Sequence, residues 1–272
     1  MNGTAVDLQH IHWPQFFSAA VYRWREAAYP LAFENARRIA SISSFVTKDV
    51  SHHYRIPTSK IETIWLAPIT QFYEKTDAGY RELTCRSLKL PEKFLLFPAM
   101  PYEHKNHIRL LEALALIRER DQTIVSLVAP GSLQLHWDQV KKRIKELKLE
   151  NQVVFPGFIA SRDLRALYQT ASALVFPSLF EGFPNSLIEA MYCGVPCVVS
   201  RYHEGLTDIM TPGIDGLVVD PKDITQMVQA LKKILTSSDL SSILTQNAKK
   251  KVNSYNKNSI IRRFENFFLT LL

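Results

Sequence analysis

Cysteine is scarce in this chain, and long apolar runs are missing. The 272 residues contain three cysteines, Cys85, Cys193 and Cys197, which form neither an even disulfide framework nor a metal-ligand pattern. Because Cys193 and Cys197 lie in apolar sequence, we expect buried, reduced thiols and a cytoplasmic protein. No stretch of about 18 apolar residues occurs, so we predict no membrane span. The first residues also lack the basic start and apolar core of a signal peptide.

Nucleic-acid motifs are missing too, although the charge would suit such a partner. The chain has 33 basic and 26 acidic residues, a net charge of +7 that also suits an anionic donor or membrane surface. No basic tract is interleaved with aromatic residues. The basic run 141–148 has apolar residues at helical spacing, which indicates the solvated face of a packed helix. We therefore expect no nucleic-acid partner.

From Lys93 onward, short apolar segments alternate with amphipathic ones. Most of these apolar segments do not alternate with polar residues, as is typical of strands covered by helices on both faces. The pattern predicts an α/β fold with a doubly wound parallel sheet. The predicted strands are 94–98, 123–128, 153–155, 173–176, 197–200 and 216–219. The predicted helices are 106–120, 137–149, 162–170, 185–193 and 224–235.

The first 90 residues contain too few strands for a second complete sheet. We predict helices at 18–38 and 48–54 and strands at 38–43 and 61–65. Residues 68–92 are predicted as a linker, because proline and glycine interrupt mixed polar sequence there. The sequence therefore favours one complete Rossmann-like unit preceded by a partial one.

The loop and helix after the strand at 173–176 contain the strongest chemical signal. A strand–loop–helix junction directs backbone amides and the positive end of a helix dipole at one place, where anions bind. Glu181 lies in this loop, and Glu189 lies one turn into the helix, leaning back toward its start. Amides between two carboxylates suit a nucleotide-sugar, whose diphosphate and hydroxyls they would hold. Alternatively, both glutamates are solvated or only complement the dipole.

Two further turns carry candidate ligands. Lys105 lies where the first predicted strand meets its helix, so its ammonium could neutralise a diphosphate. In the alternative interpretation, Asn106 caps the helix and its neighbours are solvated. Phe158 follows Gly157 in a second turn, and from the residues alone this is a tight turn that needs glycine.

The string around the two glutamates resembles the Glu-x7-Glu signature of retaining glycosyltransferases, most closely family 4, which has the two-domain GT-B fold. The resemblance is carried by Glu181-Gly182-Phe183-Pro184, by Leu187-Ile188-Glu189-Ala190-Met191 and by Gly194-Val195-Pro196. It implies two Rossmann-like domains that face each other across a cleft. The C-terminal domain of such an enzyme binds the nucleotide-sugar, and the N-terminal domain mainly binds the acceptor.

The resemblance also implies a division of this chain. Residues 1–67 are expected to be the last part of the acceptor domain, and 93–255 to be the complete donor domain. Residues 256–272 are expected to form a helix that crosses back to the first domain; a membrane surface is the alternative partner. About a hundred residues of a typical acceptor domain are expected upstream, so the resemblance covers about two-thirds of the implied enzyme.

The resemblance assigns roles to individual residues. Glu181 would hold the hydroxyls of the donor sugar, and Glu189 would hold the ribose. Backbone groups near Phe158 would contact the nucleotide base, and the phosphate-binding groups would replace a divalent metal. No Asp-x-Asp motif occurs, so we expect no metal and no cofactor. Two departures from the family pattern are Val6, where relatives often have histidine, and the absence of arginine from 99–103. The catalytic candidates are Glu181 and His10, and the donor-binding candidates are Lys105, Gly182, Phe183, Pro184, Asn185, Ser186, Glu189 and Phe158.

The implied function is retaining transfer of a hexose, with mannose as one candidate, from a UDP- or GDP-sugar to a glycan or lipid-linked acceptor. The implied setting is polysaccharide biosynthesis, with peripheral contact at the inner membrane surface. An alternative is a truncated, non-catalytic nucleotide-sugar-binding protein or a subunit that needs a partner, because apolar side chains such as Trp24 would be left uncovered. An epimerase is a weaker alternative, because it would need a set of carboxylates and a base in the acceptor domain, and no such pattern is recognisable in residues 1–90.

Overall fold

Two parallel sheets of unequal size organise the molecule in the computed structural model, which describes residues 3–68, 72, 74–133 and 136–269. The smaller sheet has the order β1-β2-β3, and the larger has the order β6-β5-β4-β7-β8-β9. The strands are β1 Gly3–Ala5, β2 Ile39–Ser41, β3 Ile61–Thr63, β4 Leu95–Leu96, β5 Leu127–Val128, β6 Val153–Val154, β7 Ala173–Phe176, β8 Cys197–Ser200 and β9 Leu217–Val219. The helices are α1 Gln9–His12, α2 Ala19–Asn35, α3 Ser44–Tyr54, α4 Ala78–Ser87, α5 His107–Asp121, α6 Trp137–Glu146, α7 Ser161–Tyr168, α8 Asn185–Cys193, α9 Leu206–Ile209, α10 Ile224–Thr236, α11 Ser238–Val252 and α12 Lys257–Leu269.

The larger sheet lies in residues 74–255, which we call the donor unit after the role that the resemblance implies for this part of the chain. Its strand order reverses between β4 and β7, the place where a doubly wound sheet opens a crevice at the carboxyl ends of its strands. Both β7 and β8 are fully buried, as expected from their mostly apolar sequences. The predicted α/β fold with a doubly wound parallel sheet is confirmed.

The smaller sheet, with α1, α2, α3 and α12, forms the N-terminal unit. Helix α12 packs across it: Arg263 donates a hydrogen bond of 2.5 Å to the carbonyl of Thr63. The Arg38 guanidinium lies 5.1 Å from the ring centroid of Phe267, a buried residue of α12. The last helix therefore joins the two ends of the described chain.

Helix α2 begins at a serine cap and is poorly covered by the rest of the molecule. The Ser18 hydroxyl accepts a hydrogen bond from the amide of Val21, as expected of an N-cap. Val21, Trp24 and Leu31 are nevertheless 42%, 63% and 61% exposed. An apolar stripe on α2 is thus open to solvent. In the described part of the chain, no helix combines the length and apolarity that crossing a membrane requires.

The segment 68–92, predicted as a linker, contains helix α4, which the sequence analysis missed. This helix packs on α7 of the donor unit. The Tyr80 hydroxyl donates to Asp163 at 2.6 Å, and Arg162 lies 3.9 Å from the centroid of the Tyr80 ring. From residue 74 onward, the segment therefore packs as part of the donor unit.

Candidate functional site

The turns that leave β4 and β7 meet at the reversal of the larger sheet. Lys105 ends a short 3-10 helix after β4, and Glu181 lies in the loop after β7. The Lys105 ammonium is 2.7 Å from a Glu181 carboxylate oxygen, and the two side chains are only 20% and 10% exposed. The fold therefore brings together two predicted site residues that are 76 positions apart.

Asn106 connects the turns around this ion pair. Its backbone is left-handed, with φ of 63°, and its side-chain amide donates to the carbonyls of Pro177 at 3.0 Å and Pro221 at 2.9 Å. Arg109 donates to the amide oxygen of Asn106 at 3.2 Å. The suggested capping role of Asn106 is wrong, because its side chain makes no cap bond and instead ties the loops after β7 and β9 to the turn after β4.

The predicted helix starts at Asn185 and presents its first turn beside the loop of Glu181. The first amides of an α-helix have no intrahelical partners, and the dipole places partial positive charge there. The Lys105 ammonium also lies 5.5 Å from the ring centroid of Phe176, the last residue of β7. Positive charge from the lysine and from the helix start thus borders the carboxyl end of β7, over the predicted binding residues Gly182, Phe183, Pro184, Asn185 and Ser186.

Glu189 lies further along α8 and faces α7. The Tyr168 hydroxyl is 2.9 Å from a carboxylate oxygen of Glu189 and 3.1 Å from the carbonyl of Ser186. Burial raises the pKa of the Glu189 carboxyl to about 7, even though the bond from Tyr168 acts in the opposite direction. Glu189 is therefore a fixed group that changes charge near neutral pH.

A cleft of about 500 Å³ opens beside Lys105 between the loops that follow β4, β5 and β6. The loops approach closely: a Cβ added at Gly131 would lie 2.7 Å from the carbonyl oxygen of Ala99. Phe158 lines the cleft, although its side chain is 86% exposed. An apolar wall with a cation at one end can receive a flat ring attached to phosphate.

The imidazoles near Lys105 are neutral at pH 7. Burial, helped by the Lys105 charge, lowers the pKa of His104 to about 4. The same two causes lower the pKa of His107 to about 3. Lys105 therefore supplies the side-chain positive charge in this turn.

The N-terminal unit forms the opposite wall of the site. A Cβ added at Gly182 would lie 2.3 Å from the carbonyl oxygen of Val6, so only glycine fits this contact. The His203 ring stacks on Phe45 with a centroid separation of 3.6 Å and is hydrogen bonded to the carbonyl of Glu181. The carboxyl ends of both sheets thus meet around the Glu181 loop.

His10, a catalytic candidate from the sequence, does not face the cleft. His10 is fully buried, and its Nε2 is 3.0 Å from a carboxylate oxygen of Glu26. The rings of Phe17, Tyr22 and Tyr29 surround it. Burial lowers the pKa of His10, even though the Glu26 bond acts in the opposite direction.

His12, which the sequence analysis did not select, lies at the contact between the units instead. Residues two apart on a helical turn point to nearly opposite sides. The His12 ring stacks on Phe180 at 5.3 Å, directly before Glu181. His203 was also missed, although a polar residue shortly after β8 is a recognisable signal of a site at this edge. Tyr168 carried no local signal, because its role depends on how α7 packs.

A family model described as "Glycosyl transferases group 1" matches residues 86–251. The O-antigen chain mannosyltransferase B of Escherichia coli is 25% identical over 218 residues, which cover 80% of this chain and 56% of that protein. A Campylobacter jejuni N-acetylgalactosaminyltransferase, named for a diphospho-undecaprenol acceptor, is 27% identical over 232 residues, or 85% of this chain and 60% of that protein. The chain thus spans little more than half the length of these curated relatives.

Solved structures of glycosyltransferases share the fold. The crystal structure of Anabaena Alr3699/HepE in complex with UDP-glucose has a TM-score of 0.85 and 18% identity, covering 99% of this chain and 72% of that one. WaaG, a glycosyltransferase involved in lipopolysaccharide biosynthesis, has a TM-score of 0.77 and 19% identity, covering 98% of this chain and 74% of that one. The architecture is therefore of the GT-B type.

Proposed function

We infer that this chain belongs to the group 1 glycosyl transferases, because the family model matches more than half of its length. We propose that it binds a nucleotide-diphosphate sugar and transfers the sugar. The observation that carries the proposal is the contact between Lys105 and Glu181 beside the start of α8. A cation, free helix amides and a carboxylate at a strand-order reversal suit a ligand that is anionic at one end and hydroxylated at the other.

In the proposed complex, the Lys105 ammonium turns from Glu181 to the diphosphate. The amides around Gly182 and Asn185 would bind the same group, replacing the divalent metal that other glycosyltransferases use. Charge accumulates on the diphosphate as its bond to the anomeric carbon breaks, and preorganised donors stabilise that charge. Glu181, released from the lysine, accepts hydrogen bonds from hydroxyls of the donor sugar.

The transfer step needs no protein nucleophile. The bond between the anomeric carbon and the diphosphate oxygen breaks, and the acceptor oxygen bonds to that carbon on the same face. The acceptor proton passes to the departing diphosphate. This route gives retention of configuration and leaves both glutamates as binding groups. Glu189 would hold the ribose hydroxyls, and Phe158 would contact the base.

We propose a hexose, with mannose as one candidate, as the transferred group and a glycan or lipid-linked molecule as the acceptor. The support comes from the relatives, which include mannosyltransferases and a transferase named for a polyprenol diphosphate. A UDP- or GDP-sugar is the proposed donor. Contact with a membrane surface is proposed at the end of α12, where Phe268 and Leu269 are 54% and 63% exposed.

A second candidate function is binding of the donor without transfer until a partner supplies more of the acceptor side. The open stripe on α2, formed by Val21, Trp24 and Leu31, favours this candidate. It predicts an intact donor site, so it differs from the first proposal only in turnover.

Calorimetric titration with UDP, GDP and their sugars tests the site, and a hydrolysis and transfer assay on the same sample tests turnover. We expect one nucleotide class to bind, and Glu181→Ala and Glu189→Ala each to abolish transfer. Glu150→Ala, an exposed carboxylate beyond α6, is the matched control and should behave as the parent. Binding without turnover would favour the second candidate. Full activity in both glutamate variants would contradict the assignment.

A further inference from the structure

Two histidines and a buried aspartate converge on the N-terminal unit, outside the proposed donor site. His12 ends α1, while Asp49 and His53 lie one turn apart on α3. The Nε2 atom of His12 is 2.9 Å from both carboxylate oxygens of Asp49, and the Nε2 atom of His53 is 3.3 Å from one of them. All three ligand atoms lie within 4.8 Å of one another.

The aspartate is the buried member of this cluster. The Asp49 side chain is 5% exposed, whereas the side chains of His12 and His53 are 30% and 29% exposed. In the described ranges, every hydrogen bond and ion pair of the Asp49 carboxylate goes to one of these two imidazoles. The cluster is thus closed on the protein side and open toward solvent.

The distances match those of a tetrahedral metal centre. Zinc binds histidine nitrogen and carboxylate oxygen at about 2.0–2.2 Å, which places neighbouring ligand atoms about 3.3 Å apart. The separations of 2.9 and 3.3 Å from Asp49 are equal to this value or slightly shorter, so small side-chain movements would suffice. Two imidazoles and one carboxylate favour zinc and other late first-row divalent ions over magnesium or calcium, which prefer oxygen ligands.

We propose that His12, Asp49 and His53 bind a divalent transition-metal ion, with zinc as the best match, and leave a fourth position for water. The spacing of Asp49 and His53 puts both ligands on one face of α3, so a single helix supplies two of the three. The metal would join α1 to α3. Because the His12 ring stacks on Phe180 of the donor unit, it would also fix the surface against which the Glu181 loop rests.

The direct test is calorimetric titration of the tag-free full chain with Zn²⁺, and with Co²⁺ as a spectroscopic probe. We expect one site per chain and the visible absorption of four-coordinate Co²⁺, with no binding of Mg²⁺. His12→Ala and His53→Ala should each weaken Zn²⁺ binding by at least about tenfold, since loss of even an outer-shell partner has effects of that size.

His52→Ala is the matched control, because His52 is exposed on the same helix and its ring lies 5.1 Å from that of His53. The Zn²⁺ affinity of this variant should be within about twofold of that of the parent, because substitutions at exposed positions outside a site usually have small effects. Far-UV circular dichroism would verify folding of each variant. If His12→Ala does not fold, His53→Ala still tests the site, because alanine is a good helix former at this position of α3. Absence of Zn²⁺ binding, or equal losses in His52→Ala and His53→Ala, would leave only a hydrogen-bonded His–Asp–His cluster and overturn the proposal. Neither result depends on donor binding or transfer.

Discussion

The donor unit and the N-terminal unit are built from the same kind of parallel strands, but they differ in completeness. Six strands with helices on both faces bury the donor unit's central strands, as Leu174 and Phe176 show with 0% and 1% exposure. The N-terminal unit has three strands, and its helix α2 leaves Trp24 63% exposed.

The comparison shows where this architecture can build a polar site. An order reversal needs strands on both sides of it, and the larger sheet supplies them around β4 and β7. Lys105 and Glu181 accordingly meet there. The N-terminal unit contributes the opposite wall of the site and the cluster of His12, Asp49 and His53. Donor binding is therefore expected to depend on the donor unit, while the N-terminal unit decides what else can approach.

The largest expected effect comes from removing the cation of the donor unit. Lys105→Met should weaken binding of the nucleotide-sugar about 10- to 100-fold, because hydrogen bonds to charged groups contribute about 1.5–3 kcal/mol. Calorimetry measures this change directly. Lys145→Met, on the exposed face of α6, removes the same charge and should leave the affinity unaltered. Equal affinities for the two variants would rule out a diphosphate on Lys105.

The contact between the two units is tested by Gly182→Ala. The new Cβ would lie 2.3 Å from the carbonyl oxygen of Val6, so loop and strand must separate. We expect a loss of about 1–3 kcal/mol in the free energy of unfolding, as in other overpacked sites, measured by urea denaturation. Gly3→Ala is the control, since its Cβ would make an ordinary contact of 3.7 Å with Ala36. If both variants matched the parent, the units would be farther apart in solution.

The pH dependence of donor binding separates Glu189 from the other titrating groups. With its pKa raised to about 7, the Glu189 carboxyl is mostly protonated at pH 6. It must lose that proton to accept hydrogen bonds from the ribose hydroxyls. Affinity for a nucleotide-sugar should therefore rise about tenfold between pH 6 and 8.

Glu189→Gln supplies the control for this rise, because its amide does not titrate and the pH profile should become flat. Burial lowers the pKa of both His104 and His203 to about 4, so these imidazoles are neutral over the whole range. An unchanged profile in the variant would assign the pH dependence to a group other than Glu189.

The smallest expected effect on the donor site comes from α2. Trp24→Lys should reduce self-association in sedimentation experiments, because it interrupts the apolar stripe, and should leave donor affinity within about twofold. Ile124→Lys introduces the same charge at a 71% exposed apolar residue of the donor unit and should not change association. Equal behaviour of the two variants would remove the distinction between the two surfaces.

The sequence predicted the donor unit well because buried strands carry a strong local signal. The strands at Ala173–Phe176 and Cys197–Ser200 have the predicted bounds, and the helix after Glu181 begins at Asn185 as expected. The meeting of the loops that hold Lys105 and Glu181 followed from the rule that ligands bind at the carboxyl ends of strands.

Other elements depended on information that is not local. Helix α4 is polar and contains Gly79, so no apolar stripe distinguishes it from a linker. Helix α11 carries Leu244, Ala248 and Val252 at helical spacing, but it was not predicted because its first residues are rich in serine. The choice between His10 and His12 depends on the rotation of a single helical turn. The bond from Tyr168 to Glu189 requires the packing of two helices, which no short motif specifies.

Asn106 orders the turns around the proposed donor site before any ligand binds. Its side-chain nitrogen donates to the carbonyls of Pro177 and Pro221, so the turns after β4, β7 and β9 are held together. Its side-chain oxygen accepts from Arg109, which fixes the orientation of the amide. The conformational entropy of those turns is therefore lost when the chain folds rather than when a ligand arrives. A ligand that binds between them finds them already ordered, so more of its interaction free energy remains available as affinity.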